Sequence, residues 1–309
     1  MTTMIAVLGE ALMDCVAQPG GDLRPLIGGS PFNMARAAAR RGAPVCYLNP
    51  ISVDLFGDQI RAQLQHDGVQ VLAEPSRLPT SLAVVQVAKG QPSYGFYREG
   101  IADRDYGVDQ ILAMLARQRP GVLHTGSLLL VPPEDHKVLA IVYGAKALGW
   151  TISLDVNLRP RLAPDLSRYV AAVQQIAALA DWIKASDDDL SVLGFADATR
   201  AHAVEIAAKF KTHGARRVAL TFGAQGAWLD VDGVVAHAAG RAVDVVDTVG
   251  AGDTFWGNCV ADWVLSPGGA AQRVQATLDY AATAAAINCT RAGCQPPGHD
   301  EVLQVLARP

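Results

Sequence analysis

The chain has 309 residues, of which 50% are hydrophobic and 18% are charged. This is the composition of a folded globular protein, and it excludes a disordered or low-complexity chain. The formal net charge is −4 and the sequence has no basic tail, which argues against nucleic acid or an anionic membrane as the main partner. A chain of this length buries enough apolar surface to fold without disulfide or metal cross-links.

Two further features bear on where the protein works. The sequence contains no apolar run of the roughly 18 residues that span a bilayer, and residues 1–9 lack the basic start and cleavage site of a signal peptide. Its five cysteines are scattered, without the close Cys/His pairs of zinc sites. We therefore expect a cytoplasmic protein with reduced thiols and no membrane partner.

Short β-rich runs alternate with longer helical stretches along the chain. The predicted strands are residues 5–8, 45–48, 122–125, 151–155, 182–184 and 218–221. The predicted helices are residues 33–41, 55–67, 108–117, 133–148, 166–179 and 199–213. Several strands are apolar at consecutive positions, as expected when both faces are covered. The alternation predicts a mostly parallel sheet with helices on both faces, in one domain over residues 1–309.

One region interrupts this alternation. Residues 81–88 and 93–98 are extended runs joined by a turn at Lys89-Gly90-Gln91-Pro92, which predicts a β-hairpin without an intervening helix. Residues 10–27 are also non-helical and could add a strand to it. We expect a small β-sheet lid built from about 10–27 and 81–105. An exposed edge of such a sheet can pair with a second copy, so we also expect a homodimer through the lid.

The most informative segment is Asp247-Thr248-Val249-Gly250-Ala251-Gly252-Asp253, which runs directly into an apolar stretch over residues 254–265. A glycine-rich turn that opens a helix presents unpaired N–H groups and the positive end of the helix dipole to an anion. The segment suits phosphoryl transfer, with the amides of Gly250, Ala251 and Gly252 on the phosphate and Asp253 as the base for a hydroxyl. The residues alone equally allow an Asp N-cap on a buried helix behind a tight loop.

Two other glycine-containing segments could approach a ligand closely. Gly28-Gly29-Ser30-Pro31-Phe32-Asn33 precedes a predicted helix, and Asn33 offers both a donor and an acceptor; an ordinary helix start is the alternative. Thr221-Phe222-Gly223-Ala224-Gln225-Gly226 could bind a nucleotide or simply form a β-hairpin turn. The sequence lacks P-loop, dinucleotide-binding and nucleophile-elbow motifs, which disfavours a dehydrogenase and a hydrolase.

In open α/β sheets, ligands bind at the carboxyl ends of the strands. Several polar residues could be displayed at that edge: Asp14, Arg98, Asp155, Asn157 and Arg159. Each one alone is compatible with a structural or solvated role. Together they would line a cleft that suits a sugar better than an apolar ligand.

Taken together, these segments resemble the phosphofructokinase-B, or ribokinase-like, family of sugar kinases over nearly the whole chain. The 247–253 segment with Thr254-Phe255 matches the family's C-terminal signature, and Gly28-Gly29-x-x-x-Asn33 matches its N-terminal signature. The resemblance implies a ribokinase-like α/β three-layer sandwich with a mostly parallel central sheet and a small β-sheet lid. It also implies ATP as phosphoryl donor with Mg²⁺, and in some members a monovalent cation, usually K⁺.

The resemblance implies roles for individual residues. Asp253 would deprotonate the sugar hydroxyl, and Gly250, Ala251 and Gly252 would form the anion hole. The residues that would bind the sugar are Asp14, Gly28, Gly29, Asn33, Arg98, Asn157 and Arg159. The residues that would line the nucleotide site are Lys184, Ser186, Thr221, Gly223, Gly226 and Asn288. Asp189 would act on Mg²⁺ indirectly, and Asp247 and Val249 match positions where some members bind K⁺.

Within the family, the chain resembles bacterial fructokinases most. This rests on Phe96-Tyr97-Arg98 followed by Ala102-Asp103, and on Asp155-x-Asn157-x-Arg159. It implies transfer of the γ-phosphoryl group of ATP to D-fructose. The alternatives are 2-keto-3-deoxygluconate, ribose or a nucleoside as acceptor, or a non-catalytic sugar-binding protein. An acidic acceptor would need an extra cation beside Arg98, whereas a nucleoside would need an aromatic or apolar platform.

Overall fold

A nine-stranded β-sheet forms the centre of the structure, and a separate four-stranded sheet accompanies it. The structure is a computed structural model that describes residues 3–18, 20–88, 91–195 and 198–308. The strands are β1 (Ile5–Val7), β2 (Leu12–Ala17), β3 (Leu23–Gly28), β4 (Val45–Tyr47), β5 (Val69–Val71), β6 (Ser81–Ala88), β7 (Gln91–Tyr97), β8 (Val122–Gly126), β9 (Thr151–Asp155), β10 (Trp182–Ser186), β11 (Arg217–Thr221), β12 (Ala227–Val231) and β13 (Val234–Ala238). The helices are α1 (Ser30–Arg40), α2 (Leu55–His66), α3 (Val108–Ala116), α4 (Asp135–Ala147), α5 (Leu166–Ala177), α6 (Asp187–Val192), α7 (Ala203–Lys211), α8 (Ala251–Leu265), α9 (Val274–Cys289) and α10 (His299–Leu306).

The large sheet has the strand order β13-β12-β11-β10-β9-β8-β1-β4-β5. The seven strands from β11 to β5 in this order are parallel, whereas β12 and β13 pair antiparallel at one edge. The predicted mostly parallel sheet is therefore confirmed. One predicted helix, residues 199–213, is divided into a 3-10 turn over Arg200–His202 and helix α7.

Helices cover both faces of the large sheet because its strands are apolar on both sides. Ala6 of β1 belongs to the hydrophobic cluster that includes α3, α4, α5 and α7, while its neighbour Val7 belongs to the cluster that includes α1, α8 and α9. Side chains alternate between the two faces along a strand, so consecutive apolar residues are buried on both. The predicted three-layer α/β sandwich is confirmed.

The small sheet has the strand order β3-β2-β6-β7, with β2 parallel to β6 and the other pairs antiparallel. It confirms the predicted small β-sheet lid, although residues 10–27 contribute two strands rather than one. The predicted turn residues Lys89 and Gly90 lie outside the described residues. The one-domain organisation, the lid limits at 10–27 and 81–105 and the homodimer through the lid stay predictions.

Helices α1 and α8 pack closely on one face of the large sheet. Gly257 of α8 faces α1, and a Cβ placed on it would lie 2.7 Å from Met34 O and 2.9 Å from Ala37 Cβ. A residue without a side chain permits this approach. The contact sets the first turn of α8, which carries Asp253, beside the first turn of α1, which carries Asn33.

We expect Gly257→Ala to destabilise the protein by about 1–2 kcal/mol and to lower its activity. Overpacking at a tight contact costs roughly 1–3 kcal/mol, which outweighs the gain of up to about 1 kcal/mol in helix propensity. Urea unfolding and steady-state kinetics measure the two effects. Gly268→Ala is the control, because a Cβ there meets no atom within 4 Å. A Gly257→Ala variant as stable and active as the wild type would contradict the role of this contact.

Candidate active site

Strands β9, β10 and β11 bring several predicted residues to one edge of the sheet. In the strand register, Lys184 lies beside Asp155 and Ser186 lies beside Thr221. The strands are parallel, so their carboxyl ends meet at this edge, where ligands bind in open α/β sheets. The first turn of α8 lies close to the same edge, as the contacts of Lys184 below show.

Asp253 is held in a fixed orientation in the first turn of α8, with 6% of its surface exposed. Its Oδ1 accepts hydrogen bonds from Ser30 Oγ at 2.7 Å and from Asn157 Nδ2 at 3.3 Å, and its Oδ2 accepts one from Asn33 Nδ2 at 2.9 Å. Burial raises the pKa of Asp253 above its ordinary value, while the bonds from Asn33 and Ser30 act in the opposite direction. An oriented carboxylate of this kind can accept a proton from a bound hydroxyl.

Gly250, Ala251 and Gly252 open helix α8 as a tight loop. Gly250 has a φ of 74°, and a Cβ on it would clash with the side chain of Cys294, so the position requires glycine. The amide of Ala251 donates to Thr248 O at 3.2 Å and closes the turn. The amides of Gly250 and Gly252 find no acceptor within the described residues. Unpaired amides at a helix N-terminus form a binding site for an anion.

A buried lysine lies next to this loop. A Cβ on Gly252 would be 3.1 Å from Lys184 Nζ, and the same ammonium group donates to both oxygens of Asp155 at 2.9 and 3.0 Å. Burial lowers the pKa of Lys184, but the charges of Asp155, Asp189 and Asp253 outweigh burial and raise it. Lys184 therefore stays protonated and adds a positive charge beside the predicted anion hole.

Gly28, Gly29 and Asp14 lie where the small-sheet lid meets the candidate base, Asp253. Asp14 of β2 faces Arg159 and Asp253, and burial raises its pKa to about 6. Gly28 packs against the Asp14 carboxylate with no room for a Cβ. Gly29 has a φ of 111° and packs equally closely against the backbone that follows β1. The structure thus brings these predicted sugar-binding residues to one side of Asp253.

Asn157 and Arg159 follow strand β9 and lie against the same carboxylate. Asn157 adopts a left-handed conformation with a φ of 39°, and its Nδ2 donates to Ser30 Oγ at 2.7 Å as well as to Asp253. Arg159 Nη1 donates to the carbonyl and to the side-chain oxygen of Asn157. The Arg159 guanidinium therefore holds the amide of Asn157 with its Nδ2 directed at the base.

Arg98 follows the last strand of the lid and has unused hydrogen-bond donors. Its Nη1 donates to Leu128 O at 3.4 Å, whereas its Nε and Nη2 are buried without a hydrogen-bond partner. Two buried carboxylates, Glu10 and Asp103, interact with its charge. The structure places an incompletely bonded cation at this point, and its contact with the sugar stays a prediction.

Ser186 and Asp189 form the N-terminal cap of α6. Asp189 Oδ2 accepts hydrogen bonds from the amide and the hydroxyl of Ser186, both at 2.8 Å, and Oδ1 accepts one from Leu158 N at 2.6 Å. Both carboxylate oxygens are therefore engaged within the protein. The indirect role of Asp189 towards magnesium stays a prediction.

Thr221, Gly223 and Gly226 lie at the connection between β11 and β12. These strands are antiparallel, so the segment is a hairpin connection, here with a 3-10 turn over Gly223–Gln225. Gly223 and Gly226 have φ values of 51° and 97°. A Cβ on Gly223 would meet no atom within 4 Å, so this side of the turn is open. The hairpin geometry is thus compatible with the predicted nucleotide surface beside Ser186.

Asn288 lies in helix α9 and contacts the loop that precedes α8. Its side chain is fully buried in α9; its Nδ2 donates to Val249 O at 2.8 Å, and its Oδ1 accepts from Gln295 N at 2.8 Å. Both polar atoms of the amide are thus engaged within the protein. Asn288 therefore positions the loop before α8, and its contact with the nucleotide stays a prediction.

Asp247 and Val249 lie together in that loop, as the predicted K⁺ site requires. Asp247 Oδ1 accepts from Val249 N at 3.0 Å, and its Oδ2 accepts from Gly293 N at 2.8 Å, which joins the loop to residues 291–293. Each oxygen that is predicted to bind K⁺ already accepts a hydrogen bond from an N–H group. Two such donors do not make a cation cage by themselves, so binding of K⁺ stays a prediction.

Ser30 also contacts the candidate base, although its sequence pattern predicted no role for it. It bonds to Asp253 and Asn157 through its hydroxyl, and its amide donates to Glu10 Oε1 at 3.2 Å. Its position inside the 28–33 segment was the available signal. The contact itself joins residues 223 positions apart, which no local pattern reveals.

Known proteins resemble this chain in sequence and in fold. Residues 2–301 match the pfkB family carbohydrate kinase model. A fructokinase of Rhizobium leguminosarum bv. trifolii is 33% identical over 267 residues, which cover 82% of this chain and 77% of the relative. The structure of a Xylella fastidiosa fructokinase with bound ATP has a TM-score of 0.84 at 26% identity, covering 99% of this chain and 98% of that one. A putative ribokinase II of Escherichia coli in complex with ATP and Mg²⁺ has a TM-score of 0.83 at 25% identity, covering 99% of both chains.

The mostly parallel sheet, the small-sheet lid and the helix-borne carboxylate behind a glycine loop define an enzyme of the ribokinase-like class. The chain belongs to the pfkB family of carbohydrate kinases. It is an ATP-dependent sugar kinase, a phosphotransferase with an alcohol group as acceptor.

We expect Lys184→Met to destabilise the protein by about 3–5 kcal/mol, because it leaves the buried Asp155 without its partner. In a double variant with Asp155→Leu we expect most of this stability to return while kcat stays at least about 100-fold low, since the charge at the anion hole is missing. Urea unfolding and steady-state kinetics separate the two quantities. Lys146→Met, in a more exposed pair with Asp181, is the control and should cost less than about 1 kcal/mol. Recovery of both stability and kcat in the double variant would show that Lys184 is only structural.

Proposed function

We propose that the protein transfers the γ-phosphoryl group of ATP to D-fructose, giving fructose 6-phosphate and ADP. The observation that carries the proposal is the buried Asp253 carboxylate, held by Asn33 and Ser30 in the first turn of α8 and flanked by Lys184. The names of the curated relatives, several of which are fructokinases, support the choice of acceptor.

In this proposal the acceptor hydroxyl lies against Asp253. The carboxylate takes the hydroxyl proton as the sugar oxygen attacks the γ-phosphorus, and the bond from that phosphorus to the β–γ bridging oxygen breaks, so that ADP leaves. The amides of the glycine loop, with Lys184, offset the charge on the transferred group. The raised pKa of Asp253 makes the carboxylate a better proton acceptor than an exposed aspartate.

The residues that bind the sugar and the nucleotide in this proposal share the sheet edge with Asp253. In the proposed arrangement Asp14, Gly29 and Asn157 supply carboxylate, backbone and amide groups for sugar hydroxyls. The predicted nucleotide residues Ser186, Thr221 and Gly223 lie at the ends of β10 and β11 and would bind the phosphoryl donor. The reacting atoms would therefore meet between the two groups.

The residues near the proposed nucleotide site fit a magnesium ion that is bound mainly by the phosphates of the nucleotide. Mg²⁺ in kinase sites keeps several waters and takes one or two carboxylates plus substrate phosphates. Within the described residues there is no cluster of three or more His, Cys, Asp or Glu side chains that would hold a metal alone. The two carboxylate oxygens of Asp189 accept hydrogen bonds from Leu158 N and from Ser186. We therefore expect Asp189 to act on the ion indirectly and not as a ligand. When bound, the ion would neutralise charge on the β- and γ-phosphates.

The location and assembly of the protein stay predictions. Within the described residues no helix is long and apolar enough to cross a membrane. The cytoplasmic location and the homodimer through the lid rest on the sequence, and size-exclusion chromatography would test the dimer.

We expect Asp253→Asn to lower turnover of D-fructose at least 100-fold with little change in sugar binding, because the amide cannot take the proton. ADP release with Mg-ATP is measured on fructose, ribose, 2-keto-3-deoxygluconate and adenosine, for wild type and variant. Turnover of another acceptor by the wild type would keep the mechanism and reject fructose. Binding of a sugar without ADP release from any acceptor would favour the non-catalytic alternative.

We expect Ser30→Ala to move the acidic limb of the kcat/KM–pH profile to higher pH. Ser30 donates to the ionised form of Asp253, so its loss destabilises the carboxylate and raises the pKa of that group. The base is then protonated at pH values where the wild type still works. Ser167→Ala, at an exposed position of α5, is the control. An acidic limb that stays in place would show that Ser30 does not tune the base.

A further inference from the structure

A second cluster of buried charges lies beside the site at the root of the lid. Glu10 follows β1 of the large sheet and is 1% exposed, while Asp103 lies in the turn after the lid strand β7 and is 2% exposed. Both carboxylates face the Arg98 guanidinium, whose charge opposes the rise in pKa that burial causes in each of them. The proposed mechanism uses neither carboxylate.

Most of the polar side-chain atoms of this cluster are unsatisfied. Glu10 Oε2, both carboxylate oxygens of Asp103 and two nitrogens of Arg98 are buried without a hydrogen-bond partner. Buried polar groups are normally paired, so unpaired donors and acceptors at one place indicate a missing ligand. A sugar hydroxyl supplies one donor and accepts through its oxygen, so it can pair with both kinds of atom.

The cluster is connected to the base through one residue. Glu10 Oε1 accepts from the amide of Ser30, whose hydroxyl donates to Asp253 Oδ1 at 2.7 Å. On the other side, the fully buried Asn49 accepts from Gly9 N at 2.7 Å and donates to Asp103 O at 2.8 Å. These contacts hold the lid turn and the loop after β1 together, next to the proposed acceptor site.

The two carboxylates of the cluster act on the charge of Arg98. Burial raises the pKa of Glu10 to about 7 and that of Asp103 to about 6, so near neutral pH at least one of the two is largely ionised against Arg98. The next cation, Arg104, donates to Glu134 at 3.0 Å and to the Arg98 carbonyl at 2.8 Å. Arg104 is therefore paired with Glu134, while the charges of Glu10 and Asp103 partly offset that of Arg98 without a direct ion pair.

We propose that Glu10 and Asp103 determine selectivity for neutral over acidic sugar acceptors by balancing the charge of Arg98. A substrate carboxylate would have to compete with these two carboxylates for one buried guanidinium, and like charges in a buried site repel strongly. Neutral hydroxyls meet no such penalty. The inference rests on the proposed function in one respect, that Arg98 faces the acceptor.

The test measures kcat/KM for D-fructose and for 2-keto-3-deoxygluconate in the wild type, Asp103→Asn, Asp103→Glu and the double variant Glu10→Gln, Asp103→Asn. We expect the ratio of acidic to neutral acceptor to rise about tenfold in Asp103→Asn and about 100-fold in the double variant, where Arg98 has lost both partners. Asp103→Glu keeps the charge and should keep the ratio near the wild-type value. Asp105→Asn removes an exposed charge two residues away and is the matched control.

A second readout does not depend on turnover of the acidic sugar. D-Gluconate is tested as an inhibitor of phosphorylation of the neutral acceptor, and its inhibition constant should fall in the two variants that free Arg98. Thermal unfolding shows whether each variant is folded; if the double variant is not, the comparison of Asp103→Asn with Asp103→Glu decides. A ratio and an inhibition constant that stay within twofold of the wild type in a folded Asp103→Asn would overturn the inference.

Failure of the proposed acceptor is distinguishable from failure of the inference. If the wild type phosphorylates ribose but not fructose, the fructose proposal is rejected, and the same ratios are taken against ribose. If the wild type prefers 2-keto-3-deoxygluconate to every neutral sugar, the inference itself is rejected, because the two carboxylates then do not exclude an acidic acceptor.

Discussion

The close approach of helices α1 and α8 is the constraint on which the site depends. Asp253 on α8 receives hydrogen bonds from Ser30 and Asn33 on α1, and these bonds form because Gly257 allows the two backbones to meet. Asp253, the glycine loop and the pair Gly28 and Gly29 therefore pack together as one unit. Displacing either helix would change the orientation of the carboxylate and the position of the anion hole together.

Charge balance at the sheet edge follows from this packing. Burial raises the pKa values of Asp253, Asp14 and Glu10, and the cations Lys184, Arg159 and Arg98 oppose this rise. Each cation works at a different place: Lys184 beside the glycine loop, Arg159 against Asn157 and Arg98 at the lid. Lys184 also favours the ionised form of Asp253, so a cation beside the predicted anion hole keeps the base unprotonated.

Local patterns predicted the parts of the fold that local physics determines. Most of the buried strands and helices were predicted because apolar runs and turns mark them, while the short strand β5 and the six-residue helix α6 are too brief to give a period. Strand β12 and the 16-residue helix α9 were also not among the predicted elements. The glycine loop and Asp253 were found for the same local reason. The bond from Ser30 to Asp253 and the pairing of Lys184 with Asp155 join distant segments and could not be derived. The hydrogen bonds of the buried Asn288 amide to Val249 and Gln295 likewise could not be derived from local patterns.

The groups for phosphoryl transfer and the groups proposed to select the acceptor are associated with different sheets. This separation would allow one phosphoryl-transfer site to accept different acceptors. Asp253 and the glycine loop lie at the start of α8, and Lys184 lies on β10 of the large sheet. In the proposed arrangement Arg98 and Asp103 lie on the far side of the acceptor, and they come from the end of the lid hairpin and the turn after it. A change of charge in that short segment leaves the α1–α8 contact and the Lys184 pair untouched. Selectivity for the acceptor can therefore change without disturbing the geometry that activates the hydroxyl, and the balance around Arg98 is the physical quantity through which it would change.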